Sequence, residues 1–449
     1  MTRFRALWEG IRGTYWAVPS AMVAVSVVVS FVMVDLDRVL TAQFLSELSW
    51  VFTGGPEGAR AVLSTIAASM ITVAGVTFSI TIVALTLASQ QFGPRLLRNF
   101  LRDLGNQVTL GTFVSTFTYC LLVLRTVRGT DDEQFVPHLA VTVGVVLAML
   151  SLSVLIFFIH HIATSIQASQ VIANVADELA GAIDRLFPEQ IGQEPAPDPS
   201  ERAARAPSPT FVGGHAIVAV AGGYVQAVDG ARLLKLATAH NLVVRLDSRP
   251  GAFVRRGTPL VTVTAALTPS DDIAASVRAC FITASERTGV QDVGFFVDQL
   301  VELAVRALSP GINDPATART CIDRLEQALC HLAGRSMPSA YRHDADGTLR
   351  VVASEVTFAG ILDLAFTEIA RYGRSSVSVS CRLLAAMRDL APCVLHEEDR
   401  LALVRQAAFV GDRSAESFDN ENDRAELTGC YHAARSALHR PRAFDLPQA

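Results

Sequence analysis

Between Thr65 and Gln90, an otherwise apolar run carries a seam at alternating steps of four and three: Thr65, Ser69, Thr72, Val76, Ser79, Val83, Thr86 and Gln90. Six of these eight positions are polar, and the spacing keeps all of them on one helical stripe. Two chemistries fit such a stripe. Ser and Thr can bond back to the carbonyl at i−4 while small residues let helices approach, as in many bundles. Alternatively, neutral hydroxyls line a water-filled path and hydrate ions, with Val76 and Val83 forming hydrophobic rings that gate by dewetting. A neighbouring stripe is uniformly small (Ala67, Ala74, Thr77, Thr81, Ala84, Ala88). The remaining surface (Ile66, Ile71, Val73, Phe78, Ile80, Ile82, Leu85, Leu87) is bulky and lipid-like.

A second polar concentration is ERTGVQDVGFFVDQLVELAVRALSPGINDPATA. Asp298 and Glu302 lie four apart on one helix face, as metal ligands do, but Glu302 also stands four before Arg306, which is ordinary helix support. Asp292, Asp298, Glu302, Asn313 and Asp314 are the candidates for binding a cytoplasmic ligand. Asp314-Pro315 reads equally as an N-cap followed by Pro at the first helical position. His138 and the pair His160-His161 sit at span ends; adjacent histidines point about 100° apart on a helix and do not chelate one metal together. They read as interfacial side chains. No nucleophile–base pair, phosphate-cradling Gly loop or Cys/His zinc pattern occurs, so neither an enzyme nor a bound cofactor or metal is expected. Seven cysteines, an odd number without a Cys-x-x-Cys pair, indicate neither a disulfide framework nor a zinc site, and a reduced cytoplasmic setting is expected for most of the chain.

The elements that position these residues are membrane spans. Half of the 449 residues are hydrophobic, and four segments reach the roughly 17 to 25 apolar residues needed to cross a bilayer: Tyr15 to Val34, Ala61 to Ala88, Val108 to Leu124 and Leu139 to Ile159. The first ends at Asp35-Leu-Asp37 without a cleavage site, so it reads as a retained span. None contains a charged residue, which argues against proton relays and ion-coupled transport. Arginines are denser in the N-terminal tail (Arg3, Arg5, Arg12) and second loop (Arg95, Arg98, Arg102) than in the first (Arg38, Arg60) and third loops (Arg125, Arg128). The positive-inside rule then places both termini in the cytoplasm of an inner-membrane protein. A net charge of −5 gives no footing for nucleic acid.

After Gly93-Pro94, the run RLLRNFLRDLG reads as a short amphipathic surface helix ending at Gly105. Its Arg95, Arg98 and Arg102 are candidates for lipid head groups. Residues 1–164 are expected to form the transmembrane domain and 165–207 a connecting helix and Pro/Ala-rich linker. Residues 208–268 form a small β-rich module, with a helix capped by Asp229, and 269–449 a mainly helical cytoplasmic domain broken by a β-like stretch at Gly347 to Phe358. The segment VVRLDSRPGAFVRRGTPLVTV resembles the second half of a biotinyl/lipoyl-type barrel-sandwich hybrid. The sole lysine, Lys235, lies in a helical run instead of at the hairpin tip such carriers use, so covalent cofactor attachment is not expected.

Four stretches together, STIAASMITVAGVTFSITIVALTLASQQFGPRLLRNF, LGTFVSTFTYCLLVLRTVR, IFFIHHIATSIQ and QLVELAVRALSPGINDPATA, resemble the bacterial predicted-membrane-protein family known as domain of unknown function family 2254. The resemblance implies a membrane protein and no particular activity. The fold expected is therefore an integral membrane α-helical protein with four transmembrane helices and a mixed α+β, mainly helical cytoplasmic domain. The leading function is a homo-oligomeric membrane pore or channel-like protein, with the second span lining the path and a cytoplasmic domain assembling or gating it; small ions or a cytoplasmic ligand are the partners this allows. The rival is a membrane-anchored cytoplasmic sensor or interaction scaffold.

Overall fold

The computed structural model describes residues 16–39, 52–92, 103–130, 133–165, 167–187, 214–264, 269–415 and 418–439. The chain divides into two compact units, residues 1–170 and 171–449.

The first unit holds α1 (Ala17–Val39), α2 (Pro56–Phe92), α3 (Leu104–Leu124) and α4 (His138–Ser165), with a hairpin of β1 (Arg128–Thr130) and β2 (Glu133–Phe135) before α4. All four helices are long and apolar enough to cross a membrane, at the places the hydropathy predicts. The third is central and packs on the other three. More than half of its membrane-length stretch is buried, against about a fifth for the rest. Its composition explains this: Thr109, Gly111, Thr112 and Thr116 are small enough for close helix approach, and all are buried. The core around it is formed by Leu63, Ala67, Tyr119, Cys120, Val123 and Val141, with Ala74, Leu110 and Phe113 further along.

The second unit begins in α5 (Ala168–Leu186). Its apolar face (Val171, Ile172, Val175, Leu179, Ala182, Ile183) is buried. Two sheets follow. One has the order β3-β7-β5-β10-β9, from β3 (His215–Val218), β5 (Val243–Leu246), β7 (Pro259–Thr264), β9 (Tyr341–His343) and β10 (Leu349–Val352). The other has the order β6-β4-β8, from β4 (Gly223–Val228), β6 (Phe253–Val254) and β8 (Phe281–Ala284). All neighbours are antiparallel except β5 and β10. Against the larger sheet pack α6 (Gly230–Ala239), whose N-cap Asp229 accepts the Arg232 N–H as its sequence predicts, and α7 (Asp271–Arg278). Strands β8, β9 and β10 come from outside residues 208–268, so the sheets draw on a longer stretch than the local β pattern suggests.

The rest is helical: α8 (Gly294–Ala307), α9 (Pro315–Ala333), α10 (Phe358–Tyr372), α11 (Val377–Leu390), α12 (Glu397–Ala415) and α13 (Glu421–His439). Helix α8 packs on α9 and α10, α11 on α9 and α13, and α12 on α10 and α13. Two disulfides tie this array: Cys330 of α9 to Cys393 beyond α11, and Cys381 of α11 to Cys430 of α13. This corrects the sequence reading, which found no disulfide framework. The partners are 63 and 49 residues apart and carry no local spacing signal; helix packing brings their Cα atoms to 5.4 and 5.5 Å, within bonding range. The three remaining cysteines, Cys120, Cys280 and Cys321, are fully buried and free, and burial pushes the Cys321 thiol up to about 12.

Candidate functional site

Helix α2 has two outward faces and one inward. Leu63, Ala67, Ala74, Thr77, Ala84 and Ala88 are buried, so the small-residue stripe is the packing face. All eight seam positions (Thr65, Ser69, Thr72, Val76, Ser79, Val83, Thr86 and Gln90) are exposed on the single subunit, Val76 and Val83 at more than half their surface. The bulky face, with Ile71, Phe78, Ile80, Ile82 and Leu87, is exposed as well. The seam is therefore not filled by α1, α3 or α4.

The hydroxyls on it are partly self-satisfied. Ser69 donates to the Thr65 carbonyl at 2.8 Å, Thr72 to Ala68 at 2.8 Å and Thr86 to Ile82 at 2.9 Å. Each proton points back along the helix, which leaves oxygen lone pairs as the outward polar feature. Such a stripe accepts from water or coordinates a small cation; at these three positions it offers no outward donor.

The unit is pinned at helix termini by two carboxylates. Asp37, at the end of α1, accepts from the N–H groups of Leu139 and Ala140, both at 2.8 Å, and so caps α4. Nearby, His138 Nδ1 lies 2.7 Å from the Phe52 carbonyl, and the Phe52 N–H donates to Thr142 Oγ1 at 2.8 Å. Asp103 caps α3 by accepting from the Gly105 N–H at 2.7 Å, and its other oxygen meets His161 Nε2 at 2.7 Å. A Cβ on Gly105 would lie 2.6 Å from that nitrogen, so the contact requires glycine there. Gly105 thus belongs to the first turn of α3, and not to the end of a preceding helix as its sequence position suggests. His161 also stacks on Phe157, with ring centroids 5.2 Å apart. The interfacial histidine is a tie between α3 and α4. Arg95, Arg98 and Arg102 of the expected surface helix lie outside the described residues.

Deeper in the bundle, Thr116 and Ser151 meet at 3.2 Å, Tyr119 donates to the Ala140 carbonyl at 2.9 Å, and Ser26 to the Ser115 carbonyl at 2.6 Å. Beside them runs an open groove of about 570 Å³ lined by α1 residues such as Val18, Met22 and Val25 together with Tyr119 and Leu147. Its lining is almost wholly apolar, and it offers no seat for a polar ligand.

In the second unit, the acidic candidates turn out to be braced. Arg287 reaches Asp292 through Nε at 2.6 Å and Asp298 through its other arm. Burial opposes its charge, but the two carboxylates more than offset this and hold its pKa above the usual value. Glu302 stands 4.0 Å from Arg306, one turn on. Asp314 caps α9, accepting the N–H groups of Ala316 and Thr317 at 3.1 Å and the Thr317 hydroxyl at 2.5 Å, which holds its carboxyl below the usual range. Asn313 takes the left-handed backbone (φ 48°) that turns the chain into this cap. Asp298 and Glu302 each have an arginine partner; among the described residues no group of three or more His, Cys, Asp or Glu is placed to hold a metal.

Sequence reasoning missed Arg287, Asp37 and Asp103 as organising residues, because each acts across 5 to 103 positions of chain. The one signal present was acidic residues beside span ends, where helix N-termini attract anions.

These features define an integral membrane protein with four apolar helices and a mixed α+β, mainly helical second unit. The chain belongs to the family described as "Predicted membrane protein (DUF2254)", whose model matches residues 12–389. An uncharacterized protein of Mycobacterium bovis is 33% identical over 452 aligned residues, covering all of this chain and 85% of that relative. An uncharacterized protein of Mycobacterium tuberculosis strain H37Rv is similar to the same extent. No solved structure matches the chain.

Proposed function

We propose that this protein is a homo-oligomeric, pore-like membrane assembly in which α2 lines the path and the second unit assembles or gates it. The observation that carries this reading is that all eight seam positions of α2 face outward while its small-residue stripe is consumed by packing. A polar column on the outside of a bundle gains nothing from lipid tails, and in a symmetric ring each subunit would turn one such column to the axis. Outward lone pairs favour water and small cations. No catalytic chemistry enters this reading.

A membrane-anchored sensor or scaffold is the second reading. It is favoured by the back-bonding of Ser69, Thr72 and Thr86, which lowers the cost of setting the seam against lipid or a sister helix. Cysteine scanning from Thr65 to Gln90 with aqueous thiol reagents separates the two. Labelling confined to the seam is the outcome expected of a pore, and uniform protection mid-span would overturn it. Ion flux through the purified protein in planar bilayers is expected to follow the labelling.

For the setting, we propose the bacterial inner membrane with both termini cytoplasmic, on the strength of the arginine distribution. The two disulfides favour the opposite side, since such bonds persist in oxidising compartments. A C-terminal alkaline phosphatase fusion decides between them: it is inactive if the C-terminus is cytoplasmic and active if it is not.

A further inference from the structure

The two sheets of the second unit are joined at one end by two turns. Residues 219–222 carry the chain from β3 in the larger sheet to β4 in the smaller, and residues 255–258 carry it back from β6 to β7. The turns are zipped together: the Ala219 N–H donates to the Thr258 carbonyl at 2.9 Å and the Gly257 N–H to the Ala219 carbonyl at 2.8 Å. Gly257 adopts φ +88°, a backbone that favours glycine, and the Thr258 hydroxyl accepts the Arg255 N–H at 3.0 Å. The tip is thus held in one shape by its own backbone.

What it displays does not belong to the core. Val220 is 66% exposed, and Phe253, on the edge strand β6, is 58% exposed. Val254 is buried at 1%, whereas Phe253 before it and Arg255 after it are both exposed. Tyr224 on β4, paired with Phe253, supports that ring edge-on at 5.1 Å between centroids. Arg255 and Arg256 are exposed, and their guanidinium groups have no side-chain partner among the described residues. The neighbouring carboxylates are already engaged: Asp247 by Arg245 and Thr262, and Asp292 by Arg287.

We propose that this tip is a docking surface for anionic lipid head groups, with Val220 and Phe253 entering the interface and Arg255 and Arg256 meeting phosphate. Charge complementarity identifies the partner: two unpaired arginines beside exposed apolar side chains are the pairing that binds an anionic bilayer surface, where neither signal suffices alone. The spans tether the tip to a bilayer permanently, so a contact too weak to recruit a free domain is occupied at the effective concentration the tether imposes. The rigid turns limit the ordering cost of docking.

A nitroxide attached through Ala221→Cys in the full chain tests this, because the native cysteines are either paired or fully buried. In nanodiscs containing phosphatidylglycerol, the label is expected to gain accessibility to oxygen and lose accessibility to aqueous nickel chelate. In pure phosphatidylcholine, or at 0.5 M salt, it is expected to stay aqueous. The double change Arg255→Ala and Arg256→Ala should lower the docked-to-free ratio about thirty-fold. Arg255→Lys with Arg256→Lys should largely retain docking, which separates a charge effect from a folding defect. A label equally aqueous in both lipids overturns the proposal. A label equally shielded in both lipids and in detergent also overturns it, and places the tip against protein.

Discussion

The two units satisfy their polar groups in different ways. In the membrane unit, hydroxyls bond to their own helix, as Ser69, Thr72 and Thr86 do, and two carboxylates go to helix N-termini, Asp37 to α4 and Asp103 to α3. In the second unit Asp229 and Asp314 cap helices as well, but further carboxylates go to arginines: Asp292 and Asp298 to Arg287, Asp323 and Glu326 to Arg382, Asp344 to Arg350, Asp363 to Arg405. The contrast follows from the solvent. A guanidinium set in hydrocarbon is costly, whereas backbone N–H groups at a helix start are present anyway and carry only partial charge. Among its described residues the second unit holds no helix long and apolar enough to cross a membrane, and its ion pairs tie elements far apart in sequence.

Four measurements would break or sharpen this contrast. The largest effect is expected from Asp37→Ala, which strips α4 of two charge-assisted hydrogen bonds and should cost about 3 kcal/mol, read as a lowered thermal midpoint in detergent. Asp37→Asn, which keeps one acceptor, should lose about half as much. Arg287→Ala leaves two carboxylates unpaired in the second unit and should cost about 2 kcal/mol, discounted for their partial exposure. If Arg287→Ala proved costlier than Asp37→Ala, the membrane unit would not depend on its caps as described.

Asp314→Ala should cost about 1 kcal/mol, the usual worth of an N-cap. Because the folded state holds the Asp314 carboxyl below its ordinary value, its contribution is present above about pH 4 and fades as pH falls further. A urea titration of the wild type and Asp314→Ala should therefore converge at acid pH. The smallest effect on stability is expected on the seam: Ser69→Ala, Thr72→Ala and Thr86→Ala should each change it by less than about 0.5 kcal/mol, since these groups are exposed and bonded within their own helix. Loss of ion flux in those same variants would then report on the path and not on the fold.

Much of this was legible along the chain. The spans, the three faces of α2, the Asp229 and Asp314 caps and the Glu302 to Arg306 pairing all rest on periodicities of a few residues, and each occurs where the pattern puts it. Strand β8 was not legible, because a four-residue strand amid helical signal gains its character from pairing with β4. The partner of Asp298 was not legible for a related reason: a carboxylate's partner is chosen by whatever cation packs nearby, and Arg287 reaches it from the segment that precedes α8.

What the sequence determined by itself, then, is that α2 crosses a membrane and carries a polar stripe beside a small one. Which stripe turns inward was decided by tertiary structure. Packing against α3 and α4 buries the alanine stripe and leaves the seam outside. The same holds for the cysteines: their number and spacing argued against bridges, and the packing of α9, α11 and α13 brings four of them within bonding distance. Helical periodicity is a local property that any reader of the chain can apply. Contacts between residues dozens of positions apart depend on how whole faces match, and that is settled only when the faces meet.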